Sequence, residues 1–141
     1  MSIADNLTAL RARISAAARR AGRDSDDVTL MAVTKTVAAE RIVEAFAAGV
    51  RLFGENRVQE FAAKRAQLTA IIEQGAEFHM IGHLQSNKAA KAAELFAAVD
   101  SVDSLALARK LNAAEKQQCA LPVLIEINAG GESAKTGIAP D

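Results

Sequence analysis

The sequence predicts an α/β fold in which a parallel sheet is covered by helices. Short apolar, β-branched runs alternate strictly with longer segments whose apolar residues recur every three or four positions. Glycine or a polar cluster separates most of these segments. Alternating β and α elements favour a parallel sheet, and two architectures fit: an open doubly wound sheet, or the first five strands of an eight-stranded (β/α) TIM-type barrel.

The helices are predicted from their periodicity. The first begins near Ile3 and ends at Gly22 and the polar residues that follow, and Leu7, Leu10 and Ile14 share its apolar stripe. The remaining helices are expected over residues 38–48, 58–74, 89–96 and 105–118. Gly49 and Gly75 end the second and third of the five, and Ser104 is a suitable N-cap for the last.

The strands are predicted from apolar runs that lie between these helices. They are expected over residues 28–33, 50–53, 77–81, 98–102 and 122–127, followed by a polar loop over residues 128–137. No sequence repeat or low-complexity segment accompanies the alternation. The 141 residues therefore fit one domain built around one core.

Composition argues against several classes of partner. Lys plus Arg equals Asp plus Glu at 17 each, and 4% of residues are aromatic, so a nucleic-acid module using the arginine-rich first helix is the least favoured function. The amino terminus does not resemble a signal peptide, and no apolar run approaches the ~20 residues that cross a bilayer. With the single Cys119 excluding an internal disulfide, a cytoplasmic protein without a membrane partner is expected.

Polar side chains follow the predicted strands at the points where they end. In both candidate architectures this edge carries the functional site, because the carboxyl ends of parallel strands meet there. The residues at these positions are Lys35, Asn56, Gly82, His83, Ser101, Asp103 and Asn128.

Lys35 is the most informative of these residues. It follows an apolar strand, so its ammonium is expected to be partly withdrawn from water, which favours the neutral, nucleophilic amine. Such an amine can form a Schiff base with an aldehyde cofactor. Position alone nevertheless favours a lysine that ends a strand and reaches solvent.

Two other patterns favour structural roles. His79 and His83 are four residues apart, but they fall where a strand enters a loop, and no cysteine or carboxylate cluster completes a metal site. We therefore predict hydrogen-bonding roles for both histidines and no metal. The run from Asn128 to Gly131 lacks the Gly-Lys-Ser/Thr ending of a phosphate loop, so a plain turn is expected.

Five segments in register resemble the pyridoxal phosphate homeostasis protein family. They are VTKT at 33–36, FGENRVQE at 53–60, FHMIGHLQSNK at 78–88, VDSVDS at 99–104 and INAGGESAKTG at 127–137. Each segment is weakly specific by itself, whereas five in the same order make chance similarity improbable. The resemblance covers the chain from Val28 onward, and it favours the cofactor role of Lys35 over the structural one.

The resemblance implies a fold and a cofactor site. The fold is a single-domain (β/α) barrel similar to the amino-terminal domain of alanine racemase, of which residues 1–141 form the amino-terminal part. Pyridoxal 5′-phosphate (PLP) is expected as a Schiff base on Lys35, with Asn56 close to the cofactor ring. His79 and Ser101 are expected to line the same mouth, and Lys135 is implied to bring a second amine near it.

The implied function is non-catalytic. The family is thought to hold, buffer or deliver PLP, with PLP-dependent apo-enzymes as possible recipients, and so to affect vitamin B6 and amino-acid balance. The alternative is a PLP-dependent amino-acid racemase, which needs a base on each face of the α-carbon. In alanine racemase the second base is a tyrosine, and this chain contains no tyrosine.

The chain departs from the family in length. It stops at Asp141, just after the fifth predicted strand, whereas the family continues through three more strand-helix units. In such barrels the phosphate usually binds after strands seven and eight, so its ligands are expected outside this chain. The first and fifth strands are then expected to be open edges, through which the chain self-associates.

Overall fold

The computed structural model describes residues 2–114, 120–132 and 134–140, which form helices around one parallel sheet. The strands are β1 (Met31–Val33), β2 (Leu52–Glu55), β3 (Glu77–Met80), β4 (Ala98–Val102) and β5 (Val123–Ile125). The helices are α1 (Ile3–Arg20), α2 (Ala39–Ala47), α3 (Val58–Lys64), α4 (Thr69–Glu73), α5 (Ala89–Leu95) and α6 (Leu105–Ala114). Within the described ranges, no helix is long and apolar enough to cross a membrane.

The order of the strands decides between the two architectures. All neighbouring strands are parallel, and their order in the sheet is β1-β2-β3-β4-β5, the same as in the sequence. A doubly wound sheet reverses direction at a switch point, whereas a (β/α) barrel adds each strand beside the previous one. The sheet is therefore the partial barrel that the sequence and the resemblance predicted.

The core lies between the sheet and the helices and is built on phenylalanine. Phe53 and Phe78 are paired in register on β2 and β3, with ring centroids 5.0 Å apart. Phe61 of α3 lies 4.7 Å from the Phe78 ring and 4.8 Å from Phe96. Burying these rings removes large apolar areas from water and fixes the helices on this outer face of the sheet.

The opposite, inner face of the sheet is tightly packed at its centre. Gly54 lies there, and a Cβ atom at this position would come within 2.7 Å of Ile81 Cδ1 and 2.8 Å of Met31 Sδ. Because side chains alternate along a strand, the inner face also carries His79, which is paired with Gly54. Apolar side chains therefore pack at the centre of the inner face, and polar groups lie towards the carboxyl ends of the strands.

Several boundaries differ from the predicted ones. The predicted strand 28–33 is shortened to β1, because Asp24 caps a 3₁₀ turn at Ser25–Asp27 and Val28 ends that turn. The predicted helix 58–74 is interrupted by a 3₁₀ turn at Arg65–Leu68. The turn ends at buried Leu68, and α4 then follows with buried Ile71.

The end of the chain also departs from its predicted boundaries. The predicted fifth strand 122–127 is reduced to β5, and one isolated parallel bridge joins Ile127 to Ile138. The predicted last helix matches α6 as far as Ala114. Its expected final residues, together with Cys119, lie outside the described residues.

Candidate functional site

Lys35 lies in a tight turn at the carboxyl end of β1. The Thr34 N–H donates to the Gly54 carbonyl at 2.9 Å, and the Val37 N–H donates to the Thr34 carbonyl at 3.1 Å. Lys35 and Thr36 are thus the central residues of a four-residue turn. Thr36 has a φ of +59°, a left-handed conformation that is unfavourable for a β-branched residue.

The side chain of Lys35 is exposed, which corrects the expectation that it is partly withdrawn from water. In the described structure β1 pairs with β2 alone, and Val33 is 52% exposed. No described element covers the inner side of this strand end. The amine makes no hydrogen bond or ion pair with another described residue.

Asn56 follows β2 at the edge of the sheet where Lys35 follows β1. Val33 pairs with Gly54, and Lys35 and Asn56 each come two residues after this pair. The residues before them are joined by a hydrogen bond from the Thr34 hydroxyl to the Glu55 carboxylate. Exposed Lys35 and half-buried Asn56 therefore lie at neighbouring strand ends on the same edge.

The Ser101 side chain is buried and hydrogen-bonded to the loop after β3, and it does not line an open surface. Its buried hydroxyl donates to the Gly82 carbonyl at 2.6 Å. Gly82 packs against the Asn56 backbone so tightly that a Cβ atom there would lie 2.8 Å from the Asn56 Cα. Ser101 is thus connected to Asn56 through Gly82, and the three residues tie the ends of β2, β3 and β4 together.

His79 lies one layer below Asn56 on the inner face. It is paired with Gly54, and its Nδ1 lies 3.0 Å from Asp100 Oδ2, with both side chains largely buried. His83 makes a second pair with Asp103, also at 3.0 Å, nearer to solvent. The two histidines therefore have separate carboxylate partners. Among the described residues, no group of three or more His, Cys, Asp or Glu is arranged to hold a metal ion.

Lys135 is engaged within its own loop after β5. Its Nζ lies 2.6 Å from Glu132 Oε1, and Asn128 holds the Glu132 backbone through its side-chain amide. The structure therefore places the implied second amine in an exposed ion pair. No contact joins it to Lys35 within the described residues.

A buried polar cluster behind Lys35 was not predicted from the sequence. Glu55 is completely buried, and its Oε1 accepts from the Thr34 hydroxyl at 2.5 Å and lies 2.7 Å from Lys64 Nζ. The only local signal is an acidic residue directly after an apolar strand, which is also common in exposed turns. Its burial depends on a lysine from a different element.

The carboxyl edge of the sheet carries an exposed primary amine at Lys35, in a hydrogen-bonded turn, and the half-buried amide of Asn56 at the end of the neighbouring strand. The His79–Asp100 pair lies on the inner face below this edge. A lysine amine can add to a carbonyl carbon, and amide and imidazole groups can orient a planar, polar ligand.

Comparison with known proteins identifies relatives that are longer than this chain. A pyridoxal phosphate homeostasis protein of Pseudomonas aeruginosa is 43% identical over 143 aligned positions, which cover 99% of this chain and 60% of the relative. The protein of the same name from Escherichia coli is 45% identical, covering 96% of this chain and 58% of the relative. The chain thus spans about 60% of the length of these relatives.

Solved structures give the same result for the fold. PipY of Synechococcus elongatus without PLP superposes with a TM-score of 0.81 at 40% identity, over 96% of this chain and 58% of that one. PipY with PLP bound superposes with a TM-score of 0.72 at 39% identity, over 90% and 54%. Residues 6–141 match the family described as alanine racemase, N-terminal domain. The chain belongs to the alanine racemase N-terminal domain family.

Proposed function

We propose that this chain forms the amine-bearing part of a PLP-binding protein and holds the cofactor as a Schiff base on Lys35. The observation that carries the proposal is an exposed lysine amine with no partner among the described residues, in a strained turn at the carboxyl edge of the sheet that also carries Asn56. Lys35 would supply the amine nitrogen that adds to the aldehyde carbon of such a cofactor, with the aldehyde oxygen released as water.

The residues present fit such a cofactor. Asn56 would contact the ring, since it follows β2 at the edge where Lys35 follows β1. His79, fixed by Asp100, forms the polar layer below, and Ser101 supports the site by holding Gly82. When bound, PLP supplies an electrophilic carbon and an electron-withdrawing ring, while the protein supplies orientation.

We further propose that the protein holds and delivers PLP and contributes to vitamin B6 and amino-acid homeostasis without catalysing a reaction. The names of the relatives, pyridoxal phosphate homeostasis proteins, support this role, and PipY with PLP bound supports the cofactor. Since the chain spans about 60% of the length of those relatives, the role of the whole protein is part of the proposal. PLP-dependent apo-enzymes as recipients and a cytoplasmic location stay predictions.

The cofactor proposal is tested by absorbance. We expect a visible band when PLP is mixed with the protein, and we expect Lys35→Ala to abolish it. Lys91→Ala is the matched control, because Lys91 is an exposed lysine paired with Glu94 on α5. A band of the same intensity in Lys35→Ala would contradict the assignment of Lys35.

A racemase-like enzyme is the second candidate, favoured by the match to the alanine racemase N-terminal domain. Racemisation requires protons to enter and leave the α-carbon from both faces. Incubating the PLP-loaded protein with amino acids in deuterium oxide tests this directly. We expect no deuterium at the α-carbon above a free-PLP control, and incorporation that Lys35→Ala abolishes would establish the enzyme instead.

Self-association through open sheet edges is also proposed. The side chains of β5 are between 45% and 61% exposed, and such apolar edge strands tend to pair with other chains. Light scattering measures the oligomeric state. A dimer or larger species that Leu124→Lys dissociates would support the proposal, and a monomer would contradict it.

A further inference from the structure

Glu55 is an unusual residue for the interior of a (β/α) fold. Its side chain is fully buried between the sheet and the helices, next to Gly54 and Asn56 in sequence. One carboxylate oxygen accepts from the Thr34 hydroxyl and contacts Lys64. The other, Oε2, has no hydrogen-bond partner among the described residues. Burying a carboxylate costs several kcal/mol, so its contacts have to offset a large penalty.

Lys64 closes the segment that contains Lys35. Besides its 2.7 Å contact with Glu55, its Nζ donates to the Thr34 carbonyl at 3.0 Å and to the Val37 carbonyl at 3.3 Å. The three N–H groups of the ammonium therefore all have acceptors. Two of them are the first and last carbonyls of the turn over residues 34–37, so one side chain from α3 fixes both ends of the turn.

Global stability does not account for this pair. A buried ion pair is often no more stabilising than apolar residues of the same volume, because desolvation of both charges opposes their attraction. The turn that the pair fixes contains Thr36 in the left-handed region, a conformation that costs about 1–3 kcal/mol and persists only where surrounding contacts impose it. The Lys64 contacts supply that constraint directly beside Lys35.

We propose that Lys64 and Glu55 are positioning residues for Lys35. They hold the 34–37 turn, and with it Lys35, at the edge of the sheet that also carries Asn56, before any ligand arrives. This inference rests on the proposed Schiff-base function and adds the residues that pre-organise it. The two lysines then differ in reactivity. The N–H groups of Lys64 are occupied, so of the two it is the Lys35 amine that can react with a carbonyl compound.

The test removes both charges together, because removing one would leave the other buried and unpaired. The variant is Glu55→Gln with Lys64→Met, and the matched control is Glu94→Gln with Lys91→Met on the exposed α5 pair. Three quantities are measured: hydrogen exchange of the Val37 amide without PLP, the rate at which PLP becomes attached to Lys35, and the free energy of unfolding.

The buried-pair variant removes both Lys64 hydrogen bonds to the turn. We expect the Val37 amide to exchange at least about tenfold faster and attachment to Lys35 to slow at least about tenfold, since the loss of even one charge-assisted hydrogen bond is worth about that factor. The control variant should match the wild type in both. Lys64→Arg retains the charge and donors and should recover part of the attachment rate. Attachment at the wild-type rate in the buried-pair variant, with or without faster exchange, would overturn the positioning role.

Two further outcomes are distinguishable. If the wild-type protein never attaches PLP at Lys35, the proposed function fails, and the positioning role fails with it. If the buried-pair variant does not fold, Thr34→Val replaces it, because this change keeps both charges and removes the hydroxyl that donates to Glu55 at 2.5 Å and lies 3.5 Å from the Gly54 carbonyl. We then expect faster Val37 exchange and attachment slowed about threefold, and no change in attachment would overturn the proposal.

Discussion

The imidazole of His79 and the carboxylate of Asp100 are 3.0 Å apart on the inner face of adjacent strands, and only 19% and 15% of their side chains are exposed. The same spacing recurs between His83 and Asp103 in the following loops, where the imidazole is 55% exposed. The two pairs therefore differ in burial and not in length. Because water screens an exposed pair more strongly, the inner pair should be coupled more strongly.

Double-mutant cycles measure this difference. We expect a coupling free energy of about 1 kcal/mol for His79→Ala with Asp100→Ala, from urea unfolding. For His83→Ala with Asp103→Ala we expect less than about 0.5 kcal/mol. Each pair serves as the control for the other, and equal or reversed couplings would show that burial does not set their strength.

Gly82→Ala should destabilise the protein by about 2 kcal/mol, because the new methyl group meets the Asn56 backbone, which cannot move as a flexible side chain can. Gly130→Ala is the matched control, since its nearest contact is the end of the Glu132 side chain at 3.4 Å. This control should stay within about 0.5 kcal/mol of wild type in urea unfolding. If both variants unfold alike, the close packing of Gly82 on Asn56 is not a constraint.

The strands and helices were predictable because their signals are local. Apolar periodicity and glycine stops predicted every strand and the helices between them. The order of the strands was not predictable in this way, because it depends on which distant segments pair, such as Val33 with Gly54. The family resemblance predicted the strand order of a barrel.

The site was predictable where it depends on strand ends and not where it depends on tertiary contacts. Lys35 and Asn56 lie at the edge where the sequence placed them. The exposure of Lys35 differed from expectation, because burial depends on what covers the far side of a strand. The contact between Lys64 and Glu55 was missed, because it joins a helix to a strand and neither residue is distinguishable from a surface charge by sequence alone.

Asp5 provides a pH-dependent prediction at the start of α1. The Ser2 backbone N–H donates to the Asp5 carboxylate at 2.9 Å, and a hydrogen bond from the Ser2 side chain adds to this contact. Together they lower the pKa of Asp5 below its ordinary value of 3.8. A lowered pKa means that the contribution to stability is present above pH 3.8 and is lost as the pH falls through the folded-state pKa.

Carbon-detected NMR of the Asp5 carboxylate measures that pKa. Ser2→Ala should raise it towards 3.8, whereas Ser2→Thr, which keeps the hydroxyl, should leave it low. An Asp5 titration that is the same in wild type and Ser2→Ala would mean that the hydroxyl of Ser2 is not one of its causes.

The most direct test of the central claim is borohydride reduction of the protein after it is mixed with PLP, followed by peptide mass mapping. Reduction converts a Schiff base into a stable amine and so records which lysine carried the cofactor. We expect the adduct to be concentrated on Lys35, with Lys64 unmodified because its N–H groups are occupied. An adduct spread over exposed lysines such as Lys91 and Lys135, or found on Lys64, would contradict it.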